Sequence, residues 1–424
     1  MLLKRGYIFC LLGVCLTFLS CHRKDTLFIN LPSSQTNIEF SNDLKKQDVF
    51  GILYYLYYYN GGGVAIGDIN NDGLPDIYFT ANSQGHNKLY LNKGQFRFED
   101  ITDKAGVAGN EEWCSGVTMA DINGDGWMDI YVCAINIKGK LQGRNELFIN
   151  KGDGTFKESA AEYGLDFSGF SGQAAFFDYD HDGDLDCFLL NQSHKPNENI
   201  VDTSNRRKFD ASAGDRFYQS NIAAGQKKFT DISAQAGIYQ SNLGYGLGLA
   251  IADINNDGWD DIYIGNDFHE NDYYYVNNGN GTFTESGAKY FNHYSRFSMG
   301  NDVADYNNDG QLDVVTVDML PNNEKILKTY GSDENPDTYN LKIIHNGFQY
   351  QFSKNCLQRN NGNGSSFSET ALLSGISATD WSWCPLLADF DKNTPGAASR
   401  AAPGRPYCSA RSTMPCASRS STCR

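Results

Sequence analysis

The chain has 424 residues, of which 40% are hydrophobic and 20% charged, with 43 glycines and 10 prolines. Its length exceeds one ordinary domain, and this composition excludes a wholly disordered chain. Acidic residues outnumber basic ones 51 to 35, which gives a formal net charge of −16. Nucleic acid is therefore disfavoured as a partner, because phosphate contacts require Lys and Arg. The charge balance suits a cationic partner, and metal ions are the first candidates.

The N-terminus has the pattern of a targeting signal. Two basic residues precede an apolar stretch from Tyr7 to Leu19, which is too short for a membrane span and suits a secretory signal. The following Phe18-Leu-Ser-Cys21 resembles the lipobox of bacterial lipoproteins, although Phe replaces the usual Leu. The resemblance implies a signal peptide at 1–20, a lipid on Cys21, a tether at 21–35 and attachment to the outer membrane. Secretion or periplasmic release after nearby cleavage is the alternative.

One nine-residue phrase recurs five times along the chain. Its copies span 68–76, 121–129, 178–186, 253–261 and 305–313, and successive copies begin 53, 57, 75 and 52 residues apart. Each copy has Asp at positions 1, 5 and 9, Asp or Asn at position 3, and Gly at position 6. Such recurrence indicates a repeat protein. The side chains at positions 1, 3, 5 and 9 are, in chain order, Asp68, Asn70, Asp72, Asp76, Asp121, Asn123, Asp125, Asp129, Asp178, Asp180, Asp182, Asp186, Asp253, Asn255, Asp257, Asp261, Asp305, Asn307, Asp309 and Asp313.

Strand-like runs surround each phrase. Small and apolar residues precede it, as in 116–120, and β-branched and aromatic residues follow it, as in 130–132. Two further runs complete the repeat, and helical periodicity is scarce. Four short strands in about 50 to 57 residues are typical of a propeller blade. The sequence therefore predicts an all-β fold, a β-propeller, with polar inserts at 195–216 and 321–346 forming loops over one face.

The repeat resembles the FG-GAP/VCBS family of integrin-α-like β-propellers over residues 36–393. The runs 59–68, 297–305, 318–321 and 379–383 bring it closest to bacterial lipoproteins in which such repeats precede an ASPIC/UnbV module, and no such module is recognised here. The resemblance implies a propeller of the seven-bladed type whose last blade is incomplete. It also implies ligand binding through loops on one face.

The repeated oxygen-bearing side chains suit a hard cation. Calcium takes six to eight oxygen ligands, whereas the tightly hydrated magnesium ion disfavours cages made only of protein. A tight turn can point its odd-numbered side chains inward, and the glycine permits the backbone reversal. We therefore predict about five structural Ca²⁺ ions, one in each phrase, that hold the hairpins together. Solvated turns without an ion, and a metal that contacts a ligand, are the alternatives.

An EF-hand does not fit these phrases, because its loop requires Glu at position 12. The residues at that position are Phe79, Val132, Leu189, Ile264 and Thr316. All five fall in strand-like runs, so the phrases are predicted to connect strand to strand.

Catalytic signatures do not stand out in the sequence. Neither G-x-S-x-G nor H-E-x-x-H occurs, and Gly244–Gly248 lacks the spacing of a dinucleotide fingerprint. His269, Glu270 and Asp272 could form a functional cluster, but a polar loop is the favoured interpretation. The tyrosine-rich run 54–59 could stack on a glycan, but core packing is favoured. We expect no enzymatic activity.

The cysteines and the C-terminal segment carry two further predictions. The five cysteines of the body form no C-x-x-C pair, which predicts free and mostly buried thiols. Residues 394–424 contain five Arg, three Cys and no acidic residue. A frameshift or mis-joined end is favoured over a genuine basic tail. A sixth phrase begins at Asp389 but has Thr394 where Gly is required, so we predict that it binds no cation.

Together these features predict a lipid-anchored surface protein whose propeller acts as a binding or adhesion module. The expected partner is a glycan or another surface protein, without nucleic acid. A propeller enzyme or enzyme subunit that acts on polysaccharide is the alternative. Fold alone does not decide between them.

Overall fold

The regular secondary structure consists mainly of short antiparallel strands. The computed structural model describes residues 28–44, 51–195, 201–330, 335–362 and 366–390, with the backbone of 408–409. Helix α1 (Ser33–Thr36) precedes the first sheet, which contains β1 (Val64–Gly67), β2 (Asp76–Phe79), β3 (Lys88–Asn92) and β4 (Phe98–Asp100). The helix α2 (Thr102–Ala105) follows. The second sheet contains β5 (Cys114–Ala120), β6 (Asp129–Ala134), β7 (Glu146–Asn150) and β8 (Phe156–Glu158), and α3 (Ala160–Tyr163) follows it.

The third and fourth sheets repeat this order of elements. The third contains β9 (Ser171–Phe177), β10 (Asp186–Asn191), β11 (Arg216–Ser220) and β12 (Phe229–Asp231), and α4 (Ser233–Ala236) follows it. A 3₁₀ helix, Thr203–Arg207, lies between β10 and β11. The fourth sheet contains β13 (Gly246–Ala252), β14 (Asp261–Asn266), β15 (Tyr273–Asn277) and β16 (Phe283–Glu285), followed by α5 (Gly287–Tyr290).

The fifth sheet carries the second insert. A short strand β17 (Tyr294–Ser295) precedes β18 (Gly300–Ala304) and β19 (Asp313–Val317). The insert contains α6 (Glu324–Tyr330), α7 (Pro336–Asn340) and a π-helical turn, Leu341–His345. Next come β20 (Gln351–Phe352), which pairs in parallel with β17, and β21 (Cys356–Asn360) and β22 (Phe367–Glu369), which complete the sheet. The last strand, β23 (Cys408–Ser409), pairs with β9.

The hydrophobic core lies between consecutive sheets. Tyr78 and Leu89 of the first sheet share a buried cluster with Ile130 and Phe148 of the second. Equivalent clusters join the second sheet to the third, the third to the fourth and the fourth to the fifth. The second, third and fourth sheets therefore each pack between two neighbouring sheets, as the blades of a propeller do.

The first strands of the five sheets follow one another around the centre of the molecule. Glycines allow their backbones to approach closely: a Cβ added to Gly116 would lie 2.5 Å from the Gly172 carbonyl oxygen. A Cβ on Gly300 would lie 2.5 Å from the carbonyl oxygen of Trp383, and Leu387 N–H donates to Asp302 Oδ2 at 2.8 Å. The segment that contains Trp383 and Leu387 therefore continues the inner ring after the fifth sheet.

The predicted all-β, propeller-like fold with four strands per repeat is confirmed. Five four-stranded units are present in the described ranges, and the sheets do not close into a complete ring. The total of seven blades stays a prediction. The two inserts join the second and third strands of the third and fifth sheets. They contain short helices where loops were predicted, because good helix formers such as those of α6 can form a turn locally.

Several smaller predictions can be placed in this fold. Cys114, Cys133, Cys187 and Cys356 are buried free thiols and Cys384 is an exposed one, as predicted for the body of the chain. Within the described ranges, no helix combines the length and apolar character needed to cross a membrane. Cys21 lies outside the described residues, as does the 394–424 segment apart from the backbone of 408–409.

Candidate metal centres

All five phrases connect the first strand of a sheet to the second. In the second sheet, for example, Ala120 pairs with Asp129, so the phrase closes a β-hairpin. The same register recurs in the other four sheets. The strand–loop–strand prediction is therefore confirmed, and all five loops lie at one end of the sheets.

Two residues in every loop have left-handed backbone conformations. Position 6 is always Gly, with φ of 84° at Gly73 and 96° at Gly183. Position 4 is also left-handed: φ is 56° at Asn71 and 62° at His181. Asn and Gly tolerate this region better than other residues do. These reversals give each loop its compact form.

The position-9 carboxylates are buried anchors of the hairpins. Asp129 is 0% exposed, and it accepts Ile122 N–H at 3.0 Å and Asn150 N–H at 2.8 Å. Asp76, Asp186 and Asp313 accept equivalent pairs of N–H groups. Asp261 accepts one backbone N–H group, and the Tyr274 hydroxyl, 2.7 Å from Asp261 Oδ2, takes the place of the second. Each carboxylate oxygen keeps a further lone pair, so these residues remain able to bind a cation.

Burial disfavours the charge of these anchors. It raises the pKa of Asp129 and Asp261 to about 7 and that of Asp186 to about 9, and the other loop carboxylates add to the effect. A neighbouring cation would act in the opposite direction, because it favours the ionised form.

Four of the loops share one hydrogen-bond pattern. In the second loop, Asp121 accepts the N–H groups of Asp125 at 3.0 Å and Gly126 at 2.8 Å. Asn123 at position 3 accepts the Asp125 N–H at 2.9 Å and donates its Nδ2 to Asp125 Oδ2 at 2.9 Å. The first, fourth and fifth loops repeat the bonds from the position-5 and position-6 N–H groups to Asp68, Asp253 and Asp305. These asparagine loops therefore hold their own conformation through internal hydrogen bonds.

The third loop differs because Asp180 replaces asparagine at position 3. Oxygens of Asp178, Asp180 and Asp186 lie within 4.8 Å of one another, the one such group of three among the described residues. The Oδ1 atoms of Asp178 and Asp180 are buried and have no hydrogen-bond partner. Buried carboxylate oxygens without a donor are costly unless a cation balances them. An all-oxygen donor set of this kind fits calcium.

The predicted ligand positions fall into three environments. Position 1 is half-buried in all five loops, position 5 is exposed, and position 9 is buried. Position 3 is half-buried except at the exposed Asn307. The structure therefore brings the predicted residues of each loop together, but it places three carboxylates close to one another in the third loop alone among the five.

The loops also contact one another between blades. Asn71 Nδ2 donates to Gly126 O of the next loop at 3.0 Å, and Asn256 Nδ2 donates to Gly310 O at 3.3 Å. In the third loop the His181 ring stacks on Trp259, with centroids 4.1 Å apart. The third strand adds a second bridge, since Asn150 Nδ2 donates to the Ile69 carbonyl of the preceding blade at 2.8 Å. Each loop is thus part of the contact between two blades, which sequence reasoning missed.

The two inserts meet at the opposite end of the sheets. Thr203 N–H of the first insert donates to Asn346 O of the second at 2.9 Å. Arg206 forms an ion pair with the fully buried side chain of Glu270, at 2.5 Å between Nη2 and Oε1. Gln351 Nε2 donates to the Glu270 carbonyl at 2.7 Å, and its Oε1 accepts from Lys342 Nζ at 2.8 Å. The prediction that both inserts cover one face fits this arrangement.

The segment that contains His269, Glu270 and Asp272 is a polar loop, as the sequence suggested, but most of it is buried. Glu270 and Asp272 are each 1% exposed. Asp272 accepts Asn266 N–H at 2.9 Å and the Tyr263 hydroxyl at 2.8 Å. The sequence carried no sign of this burial, because the charge that allows Glu270 to be buried comes from Arg206, 64 residues away.

The tyrosine-rich run packs mainly into the core, as favoured. Tyr55, Tyr57 and Tyr58 are at most 7% exposed and cluster with Trp113 and Tyr245. Tyr54 and Tyr59 are exposed. The run forms turns that cover the centre of the ring rather than a strand.

Comparisons with known proteins bear on the repeat. A family model described as FG-GAP-like repeat matches residues 68–132, 136–189 and 253–316. Cartilage acidic protein 1 of Xenopus tropicalis is 29% identical over 211 residues, covering 49% of this chain and 29% of that protein. The chain therefore spans less than a third of the length of this relative.

Several solved structures were matched as well. One is a lectin from Agrocybe aegerita that recognises non-reducing terminal N-acetylglucosamine, with 17% identity, a TM-score of 0.38, and coverage of 73% of this chain and 65% of that one. Another is a rhamnogalacturonan lyase of Bacillus licheniformis, with 14% identity, a TM-score of 0.32, and coverage of 62% and 48%. This chain therefore carries FG-GAP-like repeats in three places, and its four-stranded units have a propeller-like fold.

Proposed function

We propose that this protein is a calcium-stabilised binding module that uses the end of the propeller opposite the carboxylate loops. The observation that carries the proposal is the convergence of the two inserts, joined by the Thr203–Asn346 hydrogen bond and anchored by the Arg206–Glu270 ion pair. A long insert that merely filled a turn would not need a buried ion pair to hold it. The ligand proposed is a glycan or another surface protein.

Calcium has a structural role in this proposal. About five Ca²⁺ ions would be held by the side chains at positions 1, 3, 5 and 9 of the loops. They would stabilise hairpins and the bridges between blades, and would leave the insert end free for the ligand. The donor chemistry of the third loop supports the proposal most directly.

Membrane attachment through a lipid on Cys21 is the second part of the proposal. It rests on the lipobox-like sequence at residues 18–21. We expect Cys21→Ser to abolish labelling with radioactive palmitate and to release the protein from membranes. Unchanged labelling would show that this cysteine is not the anchor.

The insert surface can be tested by substitution rather than deletion. Removing the first insert would leave Glu270 buried without Arg206, which would destabilise the fold. We therefore choose Phe209→Ser and Ile344→Ser, whose side chains are 68% and 69% exposed. Phe96→Ser is the matched control, because Phe96 is 66% exposed in the β3–β4 turn at the loop end.

Binding is measured on a glycan array and by adhesion to a surface-protein extract, beside a reducing-end release assay. Weaker capture by the two insert variants, with the control unchanged, would support the proposal. Equal capture by all three variants would contradict the insert end as the binding surface. Turnover of a polysaccharide by the purified protein would favour the enzyme alternative.

A further inference from the structure

A large cavity opens between the first and fifth sheets, at the end opposite the carboxylate loops. Its volume is about 950 Å³. The start of β1, the end of β2, the tyrosine-rich turn and the segment from Trp381 to Trp383 form its walls. Most of the lining is aliphatic or aromatic, including Phe40, Phe79 and Phe297. Its size is that of a small-molecule site rather than a packing defect.

One carboxylate, Asp267, belongs to this apolar wall. It is 3% exposed and lines the cavity, and it accepts Phe268 N–H at 2.7 Å and the hydroxyl of Tyr57. It forms no ion pair with any residue that the structure describes, and the more distant charge of Arg296 only partly offsets the effect of burial on its pKa. Burial raises the pKa of Asp267 to about 7. A carboxylate in such surroundings gains most from a cation that arrives with the ligand.

Aromatic residues line the cavity beside Asp267, and one of them, Tyr57, also stacks on Tyr245. Tyr57 and Trp383 are nearly perpendicular, at 89°, with centroids 6.0 Å apart. Phe268 follows Asp267 directly and also lines the cavity. Ring faces attract cations, and rings at an angle to one another form the cages that hold quaternary ammonium groups.

We propose that this cavity binds an organic cation, an amine or quaternary ammonium group on an apolar body, with the cationic group against Asp267, Tyr57 and Trp383. The apolar lining would take up the body of the ligand, and the carboxylate would balance its charge. A neutral glycan fits less well, because hydroxyl groups buried against aliphatic walls lose hydrogen bonds. No residue of the inserts at 195–216 and 321–346 lines the cavity, so the proposal does not depend on their role.

The test uses the whole chain with calcium present. Trp381 and Trp383 line the cavity, so their fluorescence reports binding, with calorimetry as a second measurement. The probes are benzyltrimethylammonium and, as a neutral ligand with the same ring, benzyl alcohol. We expect saturable binding of the cation that is weakened by about tenfold or more in Asp267→Asn.

Asp272→Asn is the matched control. Asp272 is equally buried and also accepts one tyrosine hydroxyl and one backbone N–H, but it does not line the cavity. The control should bind the cation as the native protein does. Met319→Trp, which fills part of the cavity, should weaken binding even if Asp267→Asn fails to fold. Equal cation binding by native protein and by folded Asp267→Asn, no saturable binding at all, or a native preference for benzyl alcohol would each overturn the proposal.

Discussion

The third carboxylate loop and its four relatives use the same nine positions in different ways. In the asparagine loops, position 1 accepts two backbone N–H groups and position 3 accepts the N–H of position 5, so each loop is closed by its own bonds. In the third loop, an aspartate at position 3 brings three carboxylates together and leaves two buried oxygens without a donor. The third loop thus has buried carboxylate oxygens without a hydrogen-bond donor, whereas the asparagine loops are closed by their own hydrogen bonds.

This difference predicts that the five loops differ in calcium affinity and in stability without calcium. The asparagine loops should keep their shape without calcium and bind it weakly, whereas the third loop should bind it most tightly and be the least stable without it. More acidic ligands raise affinity for calcium at the expense of repulsion in the empty loop. Four predictions test the comparison.

The largest effect is expected from removing calcium altogether. At about 1 mM Ca²⁺ and a dissociation constant near 10⁻⁴ M, each site contributes about 1.4 kcal/mol, and five independent sites on the order of 7 kcal/mol. Chelation should therefore lower the melting temperature by more than about 10 °C in a thermal scan. Calorimetric titration should count about five sites with the third filling first. A clear sixth site, or none, would contradict the predicted loops.

Replacing the aspartate at position 1 by alanine should change the free energy of unfolding differently in the two kinds of loop. In chelator, Asp121→Ala should lower the free energy of unfolding by about 1 to 3 kcal/mol, because two backbone N–H groups lose their acceptor. Asp178→Ala should leave it unchanged or raise it, because a repelling carboxylate is removed. With calcium present, both variants should be destabilised. If denaturant unfolding in chelator shows that both variants lose the same free energy of unfolding, the two kinds of loop do not differ in this way.

Exchanging Asn and Asp at position 3 should exchange the calcium affinity and the calcium-free stability of the two kinds of loop. Asp180→Asn should weaken the tightest site by about tenfold, as one ligand charge is lost. Asn255→Asp should strengthen the fourth site and lower stability in chelator, since the bond from Asn255 Nδ2 to Asp257 Oδ2 is replaced by repulsion. Calorimetry of both variants against the native protein measures the exchange. If neither affinity moves, position 3 does not distinguish the sites.

The smallest effect is expected at the bridges between loops. His181→Ala removes the ring that stacks on Trp259 and should cost about 0.5 to 1.5 kcal/mol. Asn256→Ala, which removes a bond to Gly310 O, should cost about 0.5 to 1.5 kcal/mol. Calcium affinity should be retained in both variants. A large loss of affinity in His181→Ala would instead show that the histidine takes part in the site.

Much of the molecule was already determined by local sequence. The phrases predicted hairpins because Gly at position 6 permits a left-handed backbone, and because runs of β-branched and aromatic residues favour strands on both sides. Their spacing predicted four strands per repeat, and five such units are present. The absence of Glu at position 12 separated these loops from EF-hands. All of these signals lie within a few residues of the feature that they determine.

The tertiary structure decided whatever depends on residues far apart in the chain. Asp129 is buried because Asn150, at the end of the third strand, supplies an N–H group to it. Glu270 is buried because Arg206 reaches it from an insert, and no periodicity or motif marks that pair. Asp267 meets Tyr57, 210 residues away, only because the turns before β1 cover the centre of the ring. Local propensity carries no information about such contacts, since they arise when separate blades pack against one another.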